Sequence, residues 1–111
     1  MSIFKWVKFW KTKRKTSFSY RIAFLSDLFG RARLAKLVGG ADEQLIKEWE
    51  DSNIADKPLG VDFAPLLFQY SLFNPTWLNE GKGNVFVDGN FEENREAIIQ
   101  KEAERFKNEN A

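Results

Sequence analysis

The chain has 111 residues, 43% hydrophobic and 30% charged, with no Cys, no His, and 17 basic against 16 acidic side chains. That length suits one small domain with an appended segment and argues against a second full domain. Without Cys and His there are no disulfides, thiolate nucleophiles, zinc fingers, zinc-protease sites or His-ligated haem. Aromatic residues reach 15%, so a packed core is expected rather than disorder.

The formal net charge of +1 hides a partition along the chain. Residues 1–37 carry ten basic side chains against one acid, Asp27, whereas residues 38–111 carry seven basic and fifteen acidic ones. Such asymmetry predicts an electrostatic task for the leading third, or a charge-matched contact between the two parts.

In chain order, residues 3–11 read as a short amphipathic helix. At 100° per residue Lys5, Lys8, Lys11 and Lys15 gather on one third of the wheel, and Ile3, Trp6, Val7, Phe9 and Trp10 take the opposite half, with Phe4 the exception. The recurring lysines leave no uninterrupted apolar core for a secretory signal. Residues 12–19 then form a basic connector, so residues 1–19 are read as an arm and residues 20–111 as one small, mostly helical domain.

Residues 20–38 carry an apolar stripe of Ile22, Leu25, Leu28, Phe29 and Ala32, with Gly30 a possible break and Gly39-Gly40 a stop. Asp42 is placed to cap a second helix to about Asp51, with Leu45, Ile46 and Trp49 inward. The pair predicts a helical hairpin. After a polar loop around Pro58, a helix is expected from Pro65 to Phe73, ended by Asn74-Pro75. The uncharged stretch of residues 63–79 is interrupted by two prolines and polar residues, so no transmembrane helix is predicted. Val85, Phe86 and Val87 suggest one short strand of at most a single β-hairpin, its partner not apparent. Asn90, with Glu93 three residues on, opens a last helix to about Lys107, whose inward face is expected to be Ile98 or Ile99 with Ala103 and Phe106.

The expected fold class is therefore mainly α: a small helical domain with a helical hairpin and an amphipathic basic arm. The arm carries the strongest functional signal. Phe4, Lys5, Trp6, Lys8, Phe9, Trp10, Lys11, Lys13, Arg14 and Lys15 combine cations with large aromatics, a composition suited to gripping an acidic protein surface or an anionic membrane face. The competing reading is that the arm's apolar half docks on the chain's own core while its lysines stay solvated. Trp77, between Pro75 and a polar loop, is a candidate partner anchor, although a core position is its default.

Nucleic acid is the alternative partner, since basic residues interleaved with aromatics hold phosphates and stack bases. Leu34-Ala35, Val38-Gly39 and Leu45 resemble the apolar and glycine positions of the bacterial helix-turn-helix. The resemblance implies DNA reading by the helix after Asp42. Gly40 stands where that motif has an apolar residue, and Asp42, Glu43, Glu48, Glu50 and Asp51 would face or flank the phosphates.

The glycines around Lys82 lack P-loop spacing, and residues 88–92 lack the geometry of a calcium loop. Ser26, Ser52 and Ser71 have no His to activate them, and no pair of carboxylates is marked as catalytic. The sequence is thus read as a non-catalytic assembly or adaptor subunit without cofactor or metal, intracellular, docking through its arm. Head-to-tail association follows if the acidic region of one copy accepts the arm of the next.

Overall fold

The computed structural model describes residues 17–109. Helices take up 63% of them and no strand forms, which makes the fold mainly α. In order they are α1 (Phe18–Phe29), α2 (Arg31–Leu37), α3 (Glu43–Asp51), α4 (Ala64–Gln69), α5 (Pro75–Glu80) and α6 (Phe91–Glu109).

Helix α1 is the mast of the domain. Phe18, Ile22, Ala23 and Leu25 are fully buried, and α2, α3 and α6 all pack on it. It starts two residues earlier than the apolar stripe suggests, because Ser17 caps it by accepting from the Tyr20 amide at 3.1 Å. The loop after α3 satisfies the first free amides: Phe18 N–H donates to Ala55 O and Ser19 N–H to Ile54 O. The Ile54 amide in turn donates to Ser19 Oγ at 2.8 Å. The supposed connector therefore contributes Phe18 and Ser19 to the core.

Gly30, at φ +82°, breaks the long helix as its sequence position suggests. Its amide closes α1 on Ser26 O while its carbonyl opens α2 by accepting from Leu34. Helices α2 and α3 form the expected hairpin, with Asp42 capping α3 through the Leu45 amide at 2.8 Å. Between them Gly39 and Asp62 exchange backbone hydrogen bonds as an isolated antiparallel bridge. Gly40 is confined twice over, by φ +83° and by the Gly60 carbonyl, which lies where a Cβ would sit.

Three expectations change in the next stretch. Helix α4 stops at Gln69 rather than Phe73, the chain turns at Ser71-Leu72, where the Phe73 amide donates to Tyr70 O, and it is extended only at Phe73-Asn74. There it finds the partner of the Val85 segment: Asn74 N–H donates to Val85 O and Val87 N–H to Leu72 O, around a Phe73–Phe86 bridge. This two-bond contact is too short to be a hairpin. Asn74-Pro75, read as a stop, also starts a helix, since Asn74 caps α5 by accepting from Thr76 and Pro75 occupies the first turn. Asn90 caps α6 as expected, accepting from the Glu92 and Glu93 amides at 2.9 and 3.2 Å.

The inward face of α6 is the largest correction. Ile98 is buried, but Ala103 is exposed and Phe106 is 70% exposed. The residues that share the face of Ile98 are Glu102 and Arg105, at i+4 and i+7, and they face polar partners instead of a greasy seat.

At least ten of the thirteen aromatic residues among the described residues make ring–ring contacts. One chain of rings runs from Tyr70 through Phe29, Phe73, Phe86, Phe91 and Phe24 to Trp77, with neighbouring centroids 5.1 to 6.2 Å apart. A second joins Phe18 to Trp49 and Phe63. The high aromatic content of this part of the chain is largely a single core, each favourable pair adding about 0.5–1.5 kcal/mol beyond its buried area.

Gly40→Ala should destabilise the domain by about 2 kcal/mol or more, because the turn must both leave its left-handed backbone and push away the Gly60 carbonyl. Gly30→Ala, whose Cβ meets nothing within 4 Å, incurs only the backbone strain and should be milder. Urea unfolding of the two variants checks the order.

Candidate functional site

Three places gather chemistry. The first is buried: Glu50, 3% exposed, accepts from Ser26 Oγ at 3.1 Å and from Arg31 Nε at 2.7 Å. The ion pair raises the Arg31 pKa above its ordinary value, the direct hydrogen bond to Glu50 being the main cause. Ser26 thus spends its hydroxyl proton on a carboxylate already held by Arg31, which leaves no base to activate it as a nucleophile. This cluster locks α1 to α3.

The second centres on Glu102 of α6. Tyr70 OH donates to Oε1 at 2.6 Å, and Arg33 Nε lies 3.1 and 3.2 Å from the two oxygens. Arg105 approaches Oε2 at 3.9 Å and donates to Gln69 Oε1 at 2.8 Å, while the Lys101 ammonium sits 4.9 Å from the Tyr70 ring centroid. Arg33 Nη2 and Arg105 Nε are buried without a hydrogen-bond partner, the surplus donors of two guanidiniums sharing one carboxylate. The shallow depression beside this cluster sets Lys101 and Arg105 against Glu104 and Glu109, so it has no net preference for an anion. The cluster ties α6 to α2 and to the end of α4. Burial and the hydrogen bond to Glu102 push the Tyr70 phenol up to about 12.

The third place is open. A groove of about 810 Å³ has Trp77 and Phe86 in its floor, Tyr20, Val87 and Phe91 in its walls, and a rim that runs from Gly81 to Asn84 and over Asp88-Gly89. Phe86 and Trp77 are 5% and 4% exposed, whereas Val87 and Phe91 are 58% and 41% exposed. The groove thus has a buried aromatic floor and partly open hydrophobic walls beneath a polar rim. Asp88 and Lys82 both lie on the rim; Glu80, Glu92 and Glu93 are exposed and adjacent in sequence to lining residues, and the half-buried Arg95 follows Phe91 by one helical turn.

Trp77 is not the protruding anchor its position suggested. Its ring stands edge-on to Phe24 at 5.6 Å as part of the core, and it meets the groove as floor. Residues 4–15, which hold the other predicted partner-binding positions, lie outside the described residues. Sequence reasoning missed the groove because it is assembled from α1, α5, the segment of residues 81–89 and the start of α6; in the sequence Trp77 alone of these stands out as a partner contact, and the glycines around Lys82 and residues 88–92 are weighed only as phosphate and calcium loops. The acidic residues flanking the Val85 segment were the available signal.

The helix-turn-helix resemblance maps onto a real hairpin, α2 and α3. Helix α3 turns Ile46, Trp49 and Glu50 inward and leaves Glu43, Glu48 and Asp51 exposed with Asp42 at its start, against Lys47. That outer face repels phosphate. No helix among the described residues is long and apolar enough to cross a membrane. Compared with protein-family models, curated proteins and solved structures, the chain matches none.

Tyr70→Phe should lower stability at neutral pH by about 1.5 kcal/mol, the usual worth of a hydrogen bond to a charged group. Because the folded phenol titrates at about 12 and a free one near about 10, its stabilisation is full below the unfolded value and lost as pH rises through the folded one. Thermal melts across that alkaline range should therefore fall less steeply for Tyr70→Phe. The Tyr20 phenol, also raised by burial, contributes equally to both proteins.

Proposed function

We propose that this protein is a non-catalytic assembly or adaptor subunit whose helical body presents a basic, aromatic arm to an acidic protein surface. The observation that carries this reading is the partition of charge. Residues 1–16 hold six cations and no acid, while residues 17–109 hold eleven basic against sixteen acidic side chains. Six cations without an acid form a locally positive segment able to attract an anionic surface, which a chain of overall net charge +1 would not otherwise offer.

The body supports the reading in two ways. Its buried polar residues serve as cross-braces between helices, and Ser26 and Tyr70, whose hydroxyls donate to Glu50 and Glu102, are both buried. Its exposed acids, on α3 and around the groove, make it a poor ligand for nucleic acid, which leaves the arm as the feature able to seek an anionic partner. Inside a cell, the acidic surface belongs to a larger assembly or to a second copy of this chain.

The full chain should be retained on immobilised polyglutamate at low salt and released at high salt. Replacing Lys5, Lys8 and Lys11 by Gln should weaken retention about tenfold, each exposed contact being worth about 0.5 kcal/mol. Trp6→Ala with Trp10→Ala should weaken it further. Retention equal to that of the Gln variant would overturn the proposal. Tighter binding to anionic vesicles or to single-stranded DNA than to polyglutamate would also overturn it, in favour of a membrane or nucleic-acid partner.

A further inference from the structure

The groove beside α6 and the arm are complementary in three independent respects. The first is chemistry. The groove joins an aromatic floor to a rim that holds Asp88 and Lys82, with the exposed Glu80, Glu92 and Glu93 at positions adjacent in sequence to lining residues, and the arm joins Trp6 and Trp10 to Lys5, Lys8 and Lys11. The second is size. About 810 Å³ is far too small for a whole helix yet suits a pair of bulky side chains. Trp6 and Trp10 stand four apart in sequence, which puts them side by side on one face of the helix predicted for residues 3–11.

The third respect is attachment. Residues 1–16, which precede the described structure, join it at Ser17, the N-cap of α1, and Tyr20, one helical turn on, is already part of the groove wall. Ser17 is held in place, since the Tyr20 amide bonds its hydroxyl and the next two amides are bonded to Ala55 and Ile54. Sixteen residues at up to about 3.3 Å each easily double back from there, and the short tether places the arm at the groove at an effective concentration of about millimolar.

We infer that the groove lined by Tyr20, Trp77, Phe86, Val87 and Phe91 is the intramolecular receptor for the chain's own arm, seating Trp6 and Trp10 while the lysines face Asp88, Glu92 and Glu93. This rests on the reading of the arm as a gripping segment and adds what it grips when no outside surface is present. The body and the outside partner then compete for one set of side chains, and the arm becomes available only where a more acidic surface displaces it.

The test uses the full chain, mixed from normal and nitrogen-15-labelled protein and treated with a carbodiimide that joins amines to carboxylates without a spacer. Cross-links from Lys5, Lys8 or Lys11 to Asp88, Glu92 or Glu93, found only within one isotopic species, are the expected result. Asp88→Lys with Glu92→Lys, both on exposed positions, should abolish them and open Trp6 and Trp10 to acrylamide quenching, against a background of buried Trp49 and Trp77. Cross-links between isotopic species would overturn the inference in favour of a second copy. Cross-links elsewhere on the body, or none with quenching already high in the unaltered chain, would overturn it outright. Retention on polyglutamate is a separate readout, so the arm's outward role survives or falls independently.

Discussion

The structure depends on burying α1 from nearly every side. A helix that is apolar on one stripe can lie on a core, but one sealed from Phe18 to Ser26, apart from Tyr20, must also find partners for the polar groups it takes inside. Arg21 is 1% exposed, and its Nε donates to the Leu78 carbonyl at 3.0 Å while its guanidinium lies 5.6 Å from the Phe18 ring centroid. Burial pulls its pKa down to about 10, with Asp56 opposing the shift, so it stays charged at neutral pH. Ser19 exchanges hydrogen bonds with Ile54, and Ser26 reaches Glu50. Each of these contacts recruits a different part of the chain: α5, the loop after α3, and α3 itself. The polar residues of the mast therefore dictate where the shorter elements sit, and the aromatic rings fill the space between them.

The same logic explains α6. A helix of nineteen residues with one buried aliphatic side chain, Ile98, cannot be held by hydrophobic burial alone. It is also held at its start by the ring of Phe91 against Phe24 and Phe86, and further along by polar contacts, through Glu102 to Tyr70 and Arg33 and through Arg105 to Gln69. Loss of any one partner leaves the half-buried groups around Glu102 with fewer hydrogen bonds, so the clamp weakens as a unit. It also sets the groove, since the seating of α6 fixes Phe91, which touches both Phe24 and Phe86.

What was legible in the sequence is what local chemistry decides. The Asp42 and Asn90 caps, the Gly30 break and the α2–α3 hairpin follow from side chains acting within a few residues of themselves. What was not legible depends on distant partners. The inward face of α6 was assigned to Ala103 and Phe106 on hydrophobicity, yet the seat is lined by Arg33, Gln69 and Tyr70, so the charged residues turn inward. Likewise Asn74-Pro75 both ends an extended segment and starts α5, and the partner of Val85–Val87 lies across the turn of that helix. The basic arm was the clearest site in the sequence; the groove, contributed by four separate stretches, appears only once they are brought together.

The two halves of the charge partition are then best understood as one balance. Against bare solvent, an apolar arm face with Trp6 and Trp10 would be a liability for a small acidic body, because it invites non-specific association. On the proposed arrangement, a groove one helical turn from the point of attachment would remove that liability at the cost of little additional chain entropy, since the tether is short. An outside surface would then capture the arm only when its affinity for the arm exceeds what the local groove offers at about millimolar effective concentration. Weakly acidic surfaces would fail that comparison and densely acidic ones would pass it. Selectivity for the right partner would thus arise from competition within the molecule rather than from a finely shaped binding face, which is consistent with an arm built from repeated lysines and tryptophans instead of a unique pattern of hydrogen-bonding groups.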